Sequence, residues 1–74
     1  MKKTYAILII YEMLENNVVF MLKDLEEKLN CSRRTAIRYL NEIREYFKEM
    51  NMPYDVEYKP SGKTFRLVKK DQKK

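Results

Sequence analysis

A helical pattern over residues 32–50 constrains the fold of this chain more than any other feature. Apolar residues recur there at spacings of four and three, as on one face of an α-helix; they are Ala36, Leu40, Ile43, Phe47 and Met50. Ser32 precedes the pattern and can accept a hydrogen bond from a free N–H group of the first turn, as an N-cap does. The sequence therefore predicts a helix over residues 32–50 with one face buried in a core.

The opposite side of this predicted helix is mainly basic. At about 100° per residue, it carries Arg34, Arg38, Asn41 and Glu45, with Arg33, Thr35 and Ile37 on its flanks near the start. Arginine can donate two parallel hydrogen bonds to guanine, and asparagine can pair with adenine. The exposed side chains therefore suit the recognition of base edges.

A shorter helix is predicted immediately upstream, over residues 22–29. Leu22, Leu25 and Leu29 lie on one face of it, and Asn30 tolerates the left-handed backbone that closes a helix. Two helices thus meet across a very short turn. This is the pattern of a helix-turn-helix, in which the second helix enters the major groove of DNA.

The same region resembles bacterial winged helix-turn-helix repressors of the DeoR type and the DNA-binding domain of the biotin repressor. The similarity to their L-x-V-S-x-x-T-x-x-R-x-L pattern is carried by Leu29, Cys31, Ser32, Thr35, Arg38 and Leu40, with Leu25 upstream. Met21 lies where that family usually has a capping Ser or Thr. The resemblance implies a winged helix that binds DNA. Together with the exposed face of the helix, it predicts contacts to the major groove from Arg33, Arg34, Thr35, Arg38 and Asn41 and to a phosphate from Ser32.

A first helix is predicted over residues 4–16, with Thr4 as its N-cap. Its core stripe is expected to comprise Ile7, Ile10, Tyr11 and Leu14. A second apolar row, formed by Tyr5, Ile9 and Met13, is expected on the far side of the helix. Either one face of the helix is simply overfilled, or Tyr5 and Met13 cover the edge of the core, or the row is a dimer contact. We predict a homodimer through Tyr5, Ile9 and Met13.

The remaining segments predict short strands. Residues 18–20 are β-branched and aromatic, so they form a strand between the first two helices. Alternating apolar and polar residues over 54–58 and 64–67 flank a connection that holds Pro60 and the only glycine, Gly62, which predicts a β-hairpin wing over 54–68. Residues 69–74 form a charged tail. The expected fold class is α+β: one small three-helix winged helix-turn-helix domain over residues 1–74.

The net charge of +5 is unevenly distributed. Residues 1–30 carry four basic and five acidic side chains (−1), residues 31–50 five and three (+2), and residues 51–74 seven and three (+4). The excess of positive charge thus coincides with the recognition helix and the wing, which favours a polyanionic partner. On the wing, Lys59, Ser61 and Lys63 are expected to contact phosphates.

Other classes of protein are disfavoured by what the sequence lacks. It has no histidine and a single cysteine, and no glycine-rich phosphate loop, so we expect no enzyme, no metal site and no cofactor. One cysteine allows no internal disulfide, and no apolar run is long enough to span a bilayer. The expected location is the cytoplasm, in association with the nucleoid.

The sequence thus predicts a small transcription regulator that binds double-stranded DNA, as a homodimer and without a small-molecule effector. Three alternatives stay open. One is an architectural or excisionase-like factor that bends DNA. Another is a winged helix that uses its basic face to bind an acidic protein. The third is an RNA-binding protein.

Overall fold

The computed structural model describes residues 2–69 and has the predicted α+β fold. Its elements, in chain order, are α1 (Lys3–Glu15), β1 (Phe20–Met21), α2 (Leu22–Leu29), α3 (Arg33–Glu49), β2 (Tyr54–Lys59) and β3 (Thr64–Lys69). The three strands form an antiparallel sheet in the order β1-β3-β2. Three helices and a C-terminal hairpin of this kind form a winged helix. Of the predicted charged tail over residues 69–74, Lys69 is instead the last residue of β3, and residues 70–74 lie outside the described residues.

The turn between α2 and α3 has the predicted backbone geometry. Asn30 adopts the left-handed conformation, with φ 51° and ψ 53°. The Ser32 hydroxyl caps α3 and accepts a hydrogen bond of 3.2 Å from the Thr35 N–H. At the start of α2, where Met21 cannot act as a side-chain cap, the Asp24 carboxylate accepts a 2.9 Å hydrogen bond from the Met21 N–H. Local hydrogen bonds therefore fix the first turn of α2 and the first turn of α3.

The first helix differs from its prediction in its start and in its buried face. The Ala6 N–H bonds to the Lys2 carbonyl at 3.0 Å, so helical bonding begins earlier than a Thr4 cap allows, and Thr4 lies inside the first turn. The centre of the buried face is the row of Ala6, Ile10 and Leu14. The predicted core residues Ile7 and Tyr11 are half-buried on one flank of this row.

The second apolar row of α1 was expected on the far side of the helix, but most of it is partly buried. Ile9 and Met13 are half-buried and pack against the core on the other flank of the buried row. Of the three residues assigned to a dimer interface, only Tyr5 is exposed. The reason is that α1 buries a wider arc than one helical stripe, so Ile9 and Met13 lie at the edge of the core.

The hairpin forms where it was predicted, with its tip at the predicted connection. Lys63, not Gly62, adopts the left-handed backbone, with φ 54°. Strand β1 begins at Phe20, so the predicted residues 18 and 19 precede it and are exposed. Phe20 lies opposite Phe65 in β3, which in turn lies opposite Tyr58 in β2. Their ring centroids are 6.0 and 4.9 Å apart, so one aromatic row joins all three strands.

A single core lies between the helices and the sheet. Its buried members are Ala6, Ile10, Leu14, Phe20, Leu25, Leu29, Ala36, Leu40, Ile43, Phe47 and Val56. The predicted stripe of α3 is buried from Ala36 to Phe47, but its last residue, Met50, is exposed because it follows the end of the helix. The buried stripe fixes the rotation of α3 about its axis, and thereby the direction in which its polar residues point.

Candidate nucleic-acid interface

The exposed side of α3 carries the arginines that the sequence assigned to base recognition. Arg33, Arg34 and Arg38 are all exposed, as is Asn41. At about 100° per residue, Arg34 and Arg38 point directly away from the buried stripe. Within residues 2–69, Arg33, Arg34 and Arg38 form no ion pair with a carboxylate. Their guanidinium groups therefore keep their donors for a partner outside this part of the chain.

Two of the predicted contact residues already use their hydroxyl groups within the turn. The Ser32 hydroxyl caps the helix and also donates a 3.1 Å hydrogen bond to the Thr35 Oγ1. Thr35 is half-buried. The pair holds the N-terminus of α3 in place, where free N–H groups and the helix dipole favour a negatively charged ligand.

A cleft of about 690 Å³ separates α3 from the wing. Its floor is apolar and includes Ile37 of α3 and Tyr58 and Phe65 of the wing. Its charged and amide-bearing wall residues are Lys23, Glu26, Arg33, Asn41, Arg44 and Lys63. Four of these six carry positive charge and one carries negative charge, so the cleft attracts anions.

The cleft brings together only some of the predicted site residues. Arg33 and Asn41 of the helix line it together with Lys63 of the wing. Arg34 and Arg38 lie outside it, on the outer side of α3. Lys59 and Ser61 are exposed near the hairpin tip but do not line the cleft. The basic surface therefore has three parts: the outer side of α3, the cleft, and the hairpin tip.

Two basic residues of the cleft were missed in the sequence. Arg44 lies three residues after Asn41, on the same side of the helix, and this spacing could have identified it. Its guanidinium lies 3.5 Å from the Asp55 carboxylate. Lys23 comes from the first turn of α2, and only the packing of α2 against α3 and β1 brings it to the cleft. No local pattern signals such a position.

Over residues 2–69, no group of three histidine, cysteine or acidic residues is placed to hold a metal ion. None of the helices in this part of the chain is long and apolar enough to cross a membrane.

The arrangement of α2, the turn, α3 and the hairpin defines a winged helix-turn-helix. A family model described as an HTH domain matches residues 7–62, from α1 to the tip of the wing. The chain belongs to this family of helix-turn-helix DNA-binding domains. No curated protein and no solved structure is significantly similar to it.

Proposed function

We propose that this protein is a sequence-specific regulator of transcription that binds double-stranded DNA with α3 in the major groove. The observation that carries the proposal is the set of exposed arginines on α3, fixed in direction by the buried stripe on the opposite side. Arg34 and Arg38 lie one helical turn apart, so both can reach base edges from one groove. Bidentate hydrogen bonds from arginine to guanine O6 and N7 supply the specificity.

The cleft and the wing supply affinity in this proposal. Lys63 lies across the cleft from Arg33, so a phosphate backbone that follows the edge of the groove meets positive charge on both sides. Lys59 and Ser61 extend this surface to the hairpin tip. Ser32 contributes through the cap that orients the first turn of α3. These contacts position the protein on DNA without reading its sequence.

The regulator acts as a homodimer in this proposal, because a single recognition helix reads few base pairs. Two copies related by a two-fold axis read two half-sites about one DNA turn apart. Regulation follows from the concentration of the protein or from a protein partner, and no small-molecule effector takes part. Association with DNA gives a nucleoid location.

The proposal is tested by selecting bound duplexes from a random DNA pool and titrating the selected site against random duplex in a series of salt concentrations. The expected result is one enriched motif, bound about 10³-fold or more tightly than random duplex at physiological salt. Binding to both duplexes should weaken steeply as salt is raised.

Other outcomes of this experiment identify the alternatives. Strong, salt-dependent binding without an enriched motif, accompanied by bending of the duplex, indicates an architectural factor. Tighter binding to RNA than to duplex DNA indicates an RNA-binding protein. Absence of binding to any nucleic acid at low salt leaves the basic face for an acidic protein and refutes the proposal.

A further inference from the structure

The exposed side of α1 is a surface that DNA recognition does not use. Leu8 is 58% exposed and Tyr5 is 55% exposed. Glu12 and Glu15 are also exposed and continue the same line, because residues 5, 8, 12 and 15 recur at the spacing of one helix face. Leu8 therefore lies near the middle of a solvent-facing stripe.

Beside Leu8, α1 and α3 form a groove of about 450 Å³ that is mainly apolar, with Glu42 at its edge paired to Lys3 at 2.8 Å. Its lining comprises Ile7, Leu8, Tyr11, Glu42, Ile43 and Tyr46. Tyr46 is 49% exposed, and its ring meets the Tyr11 ring edge-on with centroids 6.4 Å apart. We call Tyr5, Leu8, Tyr11 and Tyr46 the α1 patch. Large apolar side chains exposed next to one another in this way are typical of an interaction surface.

The charges of α1 are arranged against its own dipole. Lys2 and Lys3 lie at its N-terminus, where the helix dipole favours negative charge, and the first turn holds no acidic residue. Lys3 pairs with Glu42 of α3, whereas the Lys2 ammonium lies over the Tyr5 ring of the patch, 5.5 Å from its centroid. Glu12 and Glu15 lie near its C-terminus, where positive charge is favoured, and the last turn holds no basic residue. An isolated helix is destabilised by this arrangement.

A second copy of the chain can place opposite charges beside both ends of α1. In an antiparallel pair of α1 helices, the acidic end of each helix lies beside the basic end of the other. With the two Leu8 side chains at a two-fold axis, Lys2 lies level with residue 14 of the second copy along the helix axis, and therefore within a helical turn of its Glu15. The two helix dipoles are then antiparallel as well.

We infer that the α1 patch is the surface through which two copies of this chain associate, with their α1 helices antiparallel and their Leu8 side chains in contact at the two-fold axis. The occupant is a second copy because the stripe is complementary to itself: apolar at its centre, basic at one end and acidic at the other. A two-fold interface requires this self-complementarity.

The inferred interface leaves the nucleic-acid surface accessible. Tyr46 and Glu42 lie on the flank of α3 that faces α1, whereas Arg33, Asn41 and Arg44 lie on the flank that faces the wing. The inference gives the proposed dimer its surface, but it does not depend on DNA binding. Its test contains no DNA, so its failure is distinguishable from failure of the proposed function.

The first experiment is sedimentation equilibrium of the wild-type chain and of two variants, Leu8→Glu and Val19→Glu. Val19 is a matched control because it is 56% exposed and lies outside the patch. Leu8→Glu should be a folded monomer at concentrations where the wild type and Val19→Glu are dimers, since its carboxylate would lose water without gaining a partner. Wild-type protein that stays monomeric at high micromolar concentration, or equal weakening by both variants, overturns the inference.

The second experiment exchanges the charges at the two ends of α1. Glu15→Lys places positive charge at the C-terminus of the helix, so it should stabilise an isolated helix, yet it should raise the dimer dissociation constant about tenfold by opposing Lys2 of the second copy. The double variant Lys2→Glu/Glu15→Lys should restore dimerisation to about the wild-type level. A loss that arises only from the contact of Glu15 with Tyr11 would persist in the double variant. Failure of the double variant to restore the dimer therefore refutes the antiparallel arrangement.

Discussion

Replacing both wing lysines tests how much of the DNA affinity comes from the hairpin. Lys59 ends β2 and lies opposite Thr64, the residue after Lys63, so both ammonium groups lie near one end of the hairpin. Each phosphate contact contributes about 0.9 to the slope of log K against log salt. The double variant Lys59→Ala/Lys63→Ala should therefore have a slope shallower by about 1.8.

The size of this change is measurable over an ordinary range of salt. Between about 50 and 200 mM, a difference of about 1.8 in slope changes the ratio of wild-type to variant affinity about tenfold. Fluorescence anisotropy with a labelled duplex gives both slopes. The loss should be the same on a selected site and on random duplex, because phosphate contacts carry no sequence information.

Lys69→Ala is the control for charge alone. Lys69 is exposed and lies opposite Tyr54 at the other end of the hairpin, roughly 20 Å along the strand from Lys63. Its removal should leave the slope nearly unchanged. A phosphate contact by the hairpin tip would be refuted if the double variant kept the wild-type slope. It would also be refuted if Lys69→Ala alone made the slope shallower by about 0.9, the contribution of one phosphate contact.

Three further predictions concern stability, measured by chemical or thermal unfolding. Ser32→Ala should lower the free energy of unfolding by about 1 kcal/mol, since it removes the cap of α3; an unchanged value would contradict that role. Gly62→Ala should raise it by about 0.4–1 kcal/mol, because Gly62 has no positive φ and an added Cβ meets only Thr64 at 3.6 Å; a loss would contradict this backbone assignment. Burial and the negative charge of Glu15 raise the pKa of Tyr11 above its usual value of 10.0. The folded state thus holds the phenol proton more tightly than the unfolded state, so the free energy of unfolding should fall as pH rises above about 10. In Tyr11→Phe the free energy of unfolding should fall less steeply with pH, and the same pH profile in both proteins would contradict the shift.

The helix-turn-helix could be predicted from the sequence because each of its determinants is local. The leucines of α2, the left-handed Asn30 and the Ser32 cap are all decided by residues within a few positions of one another. The direction of the arginines on α3 follows from the buried stripe on the same helix. The wing was predictable for the same reason, since its two strands alternate on either side of one short connection.

The features that could not be predicted depend on how the elements pack. Ile9 and Met13 form a regular row in the sequence, yet the depth of α1 in the core buries part of that row and leaves Leu8 exposed instead. Lys23 reaches the cleft only through the packing of α2 against α3 and β1. The left-handed position at the hairpin tip falls on Lys63 although a glycine precedes it, because the register of β2 with β3 decides which residue must turn.

The most direct test of base recognition by α3 is the ratio of the dissociation constants for random duplex and for the selected site. It is measured for wild type, Arg34→Ala, Arg38→Ala and a control, Arg66→Ala, whose guanidinium pairs with Glu57 on the sheet at 2.9 Å. Arg38→Ala should lose about 1–3 kcal/mol on the selected site and tolerate changes at one base position, while Arg66→Ala keeps the wild-type ratio. Wild-type ratios in both Arg34→Ala and Arg38→Ala would contradict the assignment of α3 as the recognition helix.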